Sequence, residues 1–340
     1  MTKLIVQIPC FNEAQDLQKT LSAIPEKIEG IDTIEVLVVD DGSTDQTVEI
    51  ARQCGVDHIV EHRRNRGLAA AFQSGLQASL GAGADIIVNT DADGQYEGQD
   101  IAKLVQPILA GQADVVIGDR DVGMNEHFGP VKRLLQRLGS WVVRRLSATD
   151  VPDAVSGFRA IHREAALKIN IISNFSYTTD MLIQAGRKRL SVQSVPVRTN
   201  KTRRPSRLFH SIPEFIAKTL TTILRVYATY NPLQTFAALG LVFILIGLMP
   251  IVRFLWFWLQ GDSTGHVQSL ILGGALFNLG MVTWLLAILA ELIGNNRKLS
   301  EQTLEELRRL ETRVNNSLSQ SIEEPQAEAK VASKDADTEA

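Results

Sequence analysis

The triplet Asp91-Ala92-Asp93 follows the apolar run Asp85-Ile86-Ile87-Val88-Asn89-Thr90. Carboxylates at i and i+2, leaving the end of a buried strand, project toward one side. There two hard oxygen donors can hold a divalent cation against a diphosphate. A metal-bridged sugar nucleotide is the simplest ligand that needs such a pair. A lone Asp-x-Asp is more often a solvated turn, so the reading depends on what surrounds it.

Two other strand ends carry acids. Lys3 to Pro9 reads as a strand running into Cys10-Phe11-Asn12-Glu13, and Glu35 to Val39 as a second running into Asp40-Asp41-Gly42-Ser43-Thr44-Asp45. Both runs are β-branched and end in turn formers, and Ser43, Thr44 or Asp45 can cap the helix that follows. Strand-to-helix units near Ile5, Val38, Ile59 and Val88 imply a parallel sheet with helices on both faces. Ligands of such sheets bind beyond the carboxyl ends of the strands, where Asn12, Glu13, Asp40, Asp41, Asp91 and Asp93 converge. A cluster of acids there repels itself unless a cation or a hydrogen-bonding base is present.

The runs Ile8-Pro9-Cys10-Phe11-Asn12-Glu13, Val38-Val39-Asp40-Asp41-Gly42-Ser43-Thr44-Asp45, Asn65-Arg66-Gly67-Leu68-Ala69 and Asp91-Ala92-Asp93-Gly94-Gln95 resemble, in order and spacing, family 2 glycosyltransferases with the GT-A fold. The match covers roughly residues 3 to 210 and is similar above all to the polyisoprenyl-phosphate glycosyltransferases, of the dolichyl-phosphate mannose synthase and bacterial GtrB type. Cys10 departs from the pattern, which has a small or hydroxyl residue there; a cysteine packs as a small hydrophobe.

The resemblance implies that Pro9, Phe11, Glu13 and one or both of Asp40 and Asp41 bind the nucleoside, with Ala92 beside it. A carboxylate accepts the base imide hydrogen and the aromatic ring offers a stacking face. Arg66, ahead of a helix start at Gly67, helps neutralise phosphate. Asp91 and Asp93, with Gln95, coordinate Mg²⁺ or Mn²⁺, which stabilises the departing nucleoside diphosphate. On the acceptor side, Asp153-Ala154-Val155-Ser156-Gly157-Phe158-Arg159 resembles the family's Asp-x-x-Ser-Gly-Phe-Arg segment. Asp153 is the first choice for positioning or deprotonating the acceptor, and Asp180 is the competing choice. Arg120, Ser156, Arg159, Arg203, Arg204 and Arg207 are the candidates for phosphate and lipid-acceptor contacts, the last three in a basic stretch suited to a lipid phosphate.

Composition limits the rest. The formal charge of −3 over 340 residues gives no sign of a nucleic-acid partner. Cys10 and Cys54, far apart in sequence, suggest reduced thiols in a cytosolic setting, and Met1-Thr2-Lys3 leads into the first strand without a cleavable signal. Leu233 to Val252 and Val267 to Ala290 are apolar runs of about 20 and about 24 residues, each long enough to cross a bilayer core. Lys and Arg flank the pair at Lys201, Arg203, Arg204, Arg207, Lys218, Arg225, Arg297, Lys298, Arg308 and Arg309, and none lies in Gly261-Asp262-Ser263-Thr264-Gly265-His266. The positive-inside rule then places both termini in the cytoplasm.

The expected organisation is a mostly parallel α/β GT-A domain at 1–207, interfacial amphipathic helices at 208–230, and transmembrane helices at 231–258 and 267–293. An amphipathic cytoplasmic helix at 299–322 and a disordered acidic tail at 323–340 follow. Leu304, Leu307, Leu310, Val314 and Leu318 form a narrow stripe suited to helix pairing, hence a homo-oligomer through the membrane and terminal helices. The expected activity is inverting, metal-dependent transfer of one hexose to undecaprenyl or another polyisoprenyl phosphate at the cytoplasmic membrane face. UDP-glucose is the first donor choice, with GDP-mannose and UDP-N-acetylglucosamine open. A processive polysaccharide synthase would carry a Gln-x-x-Arg-Trp motif that is absent here. A non-catalytic membrane scaffold would not need Asp91, Asp93 and Asp153 intact.

Overall fold

The structure, a computed structural model, describes residues 1–120, 144, 147, 149–171, 177–200, 228, 231–261 and 267–336. Arg203, Arg204 and Arg207 lie outside them, as do the expected interfacial helices at 208–230 apart from Ala228. Two compact units are present: Met1–Ser211 with Leu304–Ala340, and Ile212–Thr303.

The first unit is built on β1 (Lys3–Cys10), β2 (Thr33–Asp40), β3 (His58–Glu61), β4 (Ile86–Asn89), β5 (Val115–Asp119), β6 (Arg159–His162) and β7 (Val192–Pro196). They form one sheet in the order β3-β2-β1-β4-β6-β5-β7. The first four strands pair parallel, with Cys10 opposite Asp40, Asp40 opposite Glu61 and Gln7 opposite Asn89. Their carboxyl ends therefore share one edge, and the loops carrying Asn12, Asp41 and Asp91 leave from it. β6 runs antiparallel to both β4 and β5. An antiparallel strand starts where its neighbours end, so the loop ahead of Arg159 arrives at that same edge. The sequence reading foresees the parallel strands but not this reversed one.

Helices cover both faces, as the apolar positions of nearly every strand require. On one face α3 (Leu68–Gly81), α5 (Arg163–Lys168) and α6 (Tyr177–Arg187) bury Phe72, Leu76, Leu167, Met181 and Leu182. On the other, α1 (Leu17–Ser22) and α4 (Ile101–Leu109) bury Leu17, Ile101, Leu104 and Ile108. α2 (Thr47–Gln53) follows β2 and adds Ala51 to that second core.

The last sheet strand returns to the Asp91 loop. Beyond β7, Arg198 and Thr199 run back along Glu97 and Tyr96: Glu97 N donates to Arg198 O (3.4 Å) and Tyr96 bridges Thr199. Asn200 N donates to Gln95 O (2.7 Å) and Asn200 Nδ2 to Gly94 O (3.2 Å). Asp100, fully buried, locks this return by accepting from Arg198 N (2.7 Å) and Nη2 (2.9 Å) and from Lys103 Nζ (2.9 Å). Burial alone would raise the Asp100 carboxyl; the bonds from Arg198 and Lys103 outweigh it and bring it down to about 2.

The second unit holds α7 (Pro232–Leu259) and the first part of α8 (Val267–Ala336). The most apolar stretch of Pro232–Leu259 has a mean hydropathy of 2.5 and is only 11% buried, and α8 contains a comparable stretch; both helices are long and apolar enough to cross a membrane. Glycines a heptad apart bring the two helices together. A Cβ on Gly240 would meet the Gly280 carbonyl oxygen at 2.9 Å, and one on Gly247 would meet that of Gly273 at 2.9 Å. In lipid, where apolar burial gives little drive, such backbone proximity supplies the packing contacts.

α8 continues without a break from Val267 to Ala336, through the positions expected to separate a span, an amphipathic helix and a disordered tail. The tail to Ala336 is thus helical rather than disordered. Ala, Glu and Lys are strong helix formers, and growth from an existing helix avoids the nucleation cost. Of the expected apolar stripe, Leu304 is half-buried, whereas Leu307, Leu310 and Val314 are exposed.

Because the folded Asp100 carboxyl titrates below its unfolded value of about 3.9, its stabilisation is complete above that pH and is lost as pH falls toward about 2. Asp100→Asn is therefore expected to be less stable than wild type at neutral pH, with the difference closing between about pH 4 and pH 2. Denaturant unfolding followed by circular dichroism across that range checks this; a pH-independent difference would contradict it.

Candidate active site

Loops from three strand ends are stitched into one cradle. Asn12 adopts φ +56°, a left-handed conformation that asparagine tolerates. Its N–H donates to Ser43 Oγ (2.9 Å) and its Oδ1 accepts from Thr44 N (2.8 Å). Glu13 N donates to Thr47 Oγ1 (3.0 Å), and Asp45 accepts from Ala14 N (3.2 Å), Thr47 N (3.1 Å) and the Thr47 hydroxyl. Pro9 is buried at the end of β1, while Phe11 stands 37% exposed, with a ring face open to a ligand.

The two acids after β2 have different tasks. Asp40 folds back to accept from Gly42 N (3.2 Å) and Ser43 N (3.0 Å), which shapes the turn. Asp41 Oδ1 accepts from Arg66 N (2.9 Å) and His62 Nδ1 (2.7 Å), and Oδ2 from Gly67 N (2.8 Å). His62 Nε2 pairs in turn with Ser74 Oγ (2.9 Å). Asp41 thus holds the backbone that opens α3 and leaves the Arg66 side chain exposed at the helix start. Neither His62 nor Ser74 stands out in sequence, because nothing local marks them as partners of Asp41.

Asp91 and Asp93 leave β4 as expected. Asp93 Oδ1 accepts from Gln95 N (2.9 Å) across Gly94, whose φ is +67°. Thr20 Oγ1 holds the carbonyl of buried Ala92 (2.9 Å). Behind Asp91 lies a buried polar chain. Gln7 Nε2 donates to Asn89 Oδ1 (2.9 Å), and Asn89 Nδ2 donates to Gly157 O (2.8 Å) and Tyr177 Oη (3.3 Å). Gly157 N donates to Tyr96 Oη (3.2 Å). Lost hydration and then the Asp93 charge push the Asp91 carboxyl up to about 6, against a partial offset from Arg120 and Arg159. Burial and then Asp91 likewise push the Tyr96 hydroxyl up to about 12.

That elevated carboxyl tests the pair against a metal. A desolvated acid beside a second carboxylate is what a hard cation would stabilise in the charged form. Among the described residues no group of three His, Cys, Asp or Glu could hold the ion alone. The donor set therefore fits a cation that completes its shell with diphosphate and water, as Mg²⁺ and Mn²⁺ do.

The acceptor-side residues are arranged less as expected. Asp153, 2% exposed, accepts from Arg120 Nε (2.6 Å) and Nη2 (3.0 Å) in a bidentate pair. Burial opposes the Arg120 charge, but Asp153 more than compensates and raises the guanidinium above its ordinary value. Arg159, expected at the acceptor phosphate, is fully buried instead. Its Nε donates to Ser156 O (2.7 Å), Nη1 to Thr178 O (2.8 Å) and Nη2 to Ala154 O (2.8 Å), and burial lowers it to about 10. It ties the loop 153–158 to α6 and cannot reach a ligand from there. Ser156 is fully buried too. Asp180, in the first turn of α6, is buried and accepts from Gln184 Nε2 (3.3 Å).

The mostly parallel mixed sheet with acids at its carboxyl edge is a GT-A-like α/β domain. The profile of "Glycosyl transferase family 2" matches residues 5–169. An uncharacterised protein of Methanocaldococcus jannaschii, MJ1222, is 35% identical over 58% of this chain and 81% of its own length. The polyprenol monophosphomannose synthase of Mycolicibacterium smegmatis is 29% identical over 57% of this chain and 76% of its own. Glucosyl-3-phosphoglycerate synthase from Mycobacterium tuberculosis, crystallised with Mn²⁺ and UDP, superposes with a TM-score of 0.52 at 22% identity, covering 67% of this chain and 79% of that one. The chain belongs to glycosyl transferase family 2 and is a glycosyltransferase.

Gly157 is the wall on which Asp91 rests. A Cβ there would lie 2.9 Å from each Asp91 carboxylate oxygen and 3.0 Å from Tyr177 Oη. Gly157→Ala is expected to displace Asp91 and weaken Mn²⁺ binding by about tenfold or more, equivalent to about 1.4 kcal/mol, with secondary structure unchanged. Electron paramagnetic resonance titration of Mn²⁺ measures this, and wild-type affinity would refute it.

Proposed function

We propose that this glycosyltransferase moves a single hexose from a nucleotide sugar to a polyisoprenyl phosphate at a membrane surface, with inversion. The observation that carries the reading is the Asp91–Asp93 pair, backed by Arg120, in a chain that also has two candidate membrane spans. The relation to a polyprenol monophosphomannose synthase supports a lipid phosphate acceptor. A glucosyl donor is our first choice, UDP-glucose in particular; GDP-mannose and UDP-N-acetylglucosamine are the alternatives. The positive flanks of the spans favour both termini in the cytoplasm.

In this reading Phe11 stacks on the base, while Glu13 and Asp40 sit at the end of the nucleoside cleft that Asp41 and His62 frame. Arg66, at the start of α3, meets phosphate oxygens with help from the helix N-terminus. Asp91 and Asp93, with Gln95, would hold Mg²⁺ or Mn²⁺, which supplies charge neutralisation for the departing diphosphate. A lipid phosphate oxygen attacks the anomeric carbon as the bond from that carbon to the β-phosphate oxygen breaks, and the nucleoside diphosphate leaves with the electron pair. With its second pKa near about 6, the acceptor phosphate is already largely ionised at neutral pH. A strong base is unnecessary. That requirement suits Asp153, whose carboxylate is occupied by Arg120: the pair positions a guanidinium for phosphate. Asp180 remains the alternative acid on the acceptor side. The segment 201–207, with Arg203, Arg204 and Arg207, follows directly from Asn200 and supplies further cationic groups for a lipid phosphate.

Membranes carrying the enzyme, incubated with a panel of labelled nucleotide sugars, should yield an organic-extractable labelled product from one donor. Asp93→Asn should reduce that product by at least about a hundredfold at unchanged fold, since a neutral amide replaces a charged ligand. EDTA should have the same effect on wild type, and activity within about tenfold under chelation would sink the metal-dependent reading.

A further inference from the structure

The connection from α5 to α6 is gripped from three directions. Ile171 N donates to Gln73 Oε1 of α3 (2.8 Å). Asn170 N donates to Gln184 Oε1 (3.0 Å), and Gln184 Nε2 returns to Asn170 O (2.6 Å). The third grip comes from α8: Arg308 Nη1 donates to Ile169 O (3.0 Å) and Nη2 to Asn170 Oδ1 (3.1 Å). Arg308 is only 9% exposed, more buried than Glu301, Glu305 and Arg309 beside it on the helix. The neighbouring Arg309 pairs with Glu164 of α5 (2.8 Å) and with Glu305 of its own helix (3.1 Å).

Gln184 carries this grip into the site, because its Nε2 also reaches Asp180 Oδ1 (3.3 Å). Tyr177, Asp180 and Gln184 share one face of α6 at i, i+3 and i+7. At the far end of that face the Tyr177 hydroxyl meets Asn89, directly behind Asp91. A guanidinium suits the post at 308, since its planar fork serves two acceptors at once, which an ammonium on a flexible stem does poorly.

We propose that Arg308 is a positioning residue for the acceptor side of the reaction: by holding Ile169 and Asn170 it fixes Gln184 and, through it, the Asp180 carboxylate and the first turn of α6. The inference rests on the transfer reaction proposed above. It gives the polar segment of α8 a role in turnover as well as in anchoring.

The test uses the full-length enzyme in lipid nanodiscs, with polyprenyl phosphate and the donor selected by the panel. Arg308→Gln and Asn170→Ala should each lower kcat by about tenfold with donor KM within about twofold, and the double variant should be no worse than the poorer single one. Arg308→Lys should restore little. Arg309→Gln, which removes the adjacent ion pairs without touching Asn170, should keep wild-type kcat. Unchanged kcat in Arg308→Gln, additive losses in the double variant, or an equal loss in Arg309→Gln would each overturn the proposal. Should wild type glycosylate no polyprenyl phosphate, the functional reading fails by itself. Amide hydrogen exchange then still decides the link: faster exchange at 169–171 and 180–184 in Arg308→Gln but not in Arg309→Gln supports it, and equal rates in all three proteins refute it.

Discussion

Keeping two carboxylates charged and close together, where one has lost its water, is the constraint around which the catalytic unit is organised. Asp91 cannot withdraw further into the protein because Gly157 and the Asn89–Tyr177 pair stand behind it, and the Gly94 turn fixes its spacing from Asp93. The protein supplies a partial offset through Arg120, but couples that guanidinium to Asp153. The remaining negative potential is what a bound cation would offset in the proposed reaction. Buried pairs of this sort contribute little to stability by themselves; their worth is in orientation.

Much of the surrounding polar structure serves preorganisation. Asp41, His62 and Ser74 shape the opening of α3, Asp45 and Asn12 join the first two loops, and Arg159 ties the 153–158 loop to α6. These groups spend hydrogen bonds on one another and on the backbone. Phe11, Arg66 and Asp93 are left facing outward, and they are the groups to which the proposed reaction gives a ligand. A site that has ordered its own dipoles before substrate arrives loses less on binding and during reaction.

Sequence pattern disclosed the parts that depend on short spacing. The four parallel strands, the Asp91–Asp93 pair, and the two apolar helices follow from alternation, turn chemistry and length, all local properties. Position-specific roles within the acidic clusters were less legible. Asp40 and Asp41 are adjacent and chemically identical, yet one shapes a turn and the other holds a histidine brought from β3. The resemblance of Asp153–Arg159 to the family segment points Arg159 at a phosphate; only the three-dimensional path of the loop reveals that carbonyl groups absorb it. The antiparallel β6 was unreadable for a similar reason, since its four residues carry no mark of direction. The helical continuation of α8 to Ala336 shows the opposite case, in which composition without periodicity still favours helix once a helix precedes it.

The return of the chain along Glu97 and Gln95 joins the segment that leaves β7 to the loop that carries Asp93. A tug on residue 201 is borne first by Asn200 against Gln95 and Gly94, then by Arg198 against Asp100, before it reaches the sheet. A displacement of Asn200 would thus be felt as slack or tension in the backbone next to Asp93.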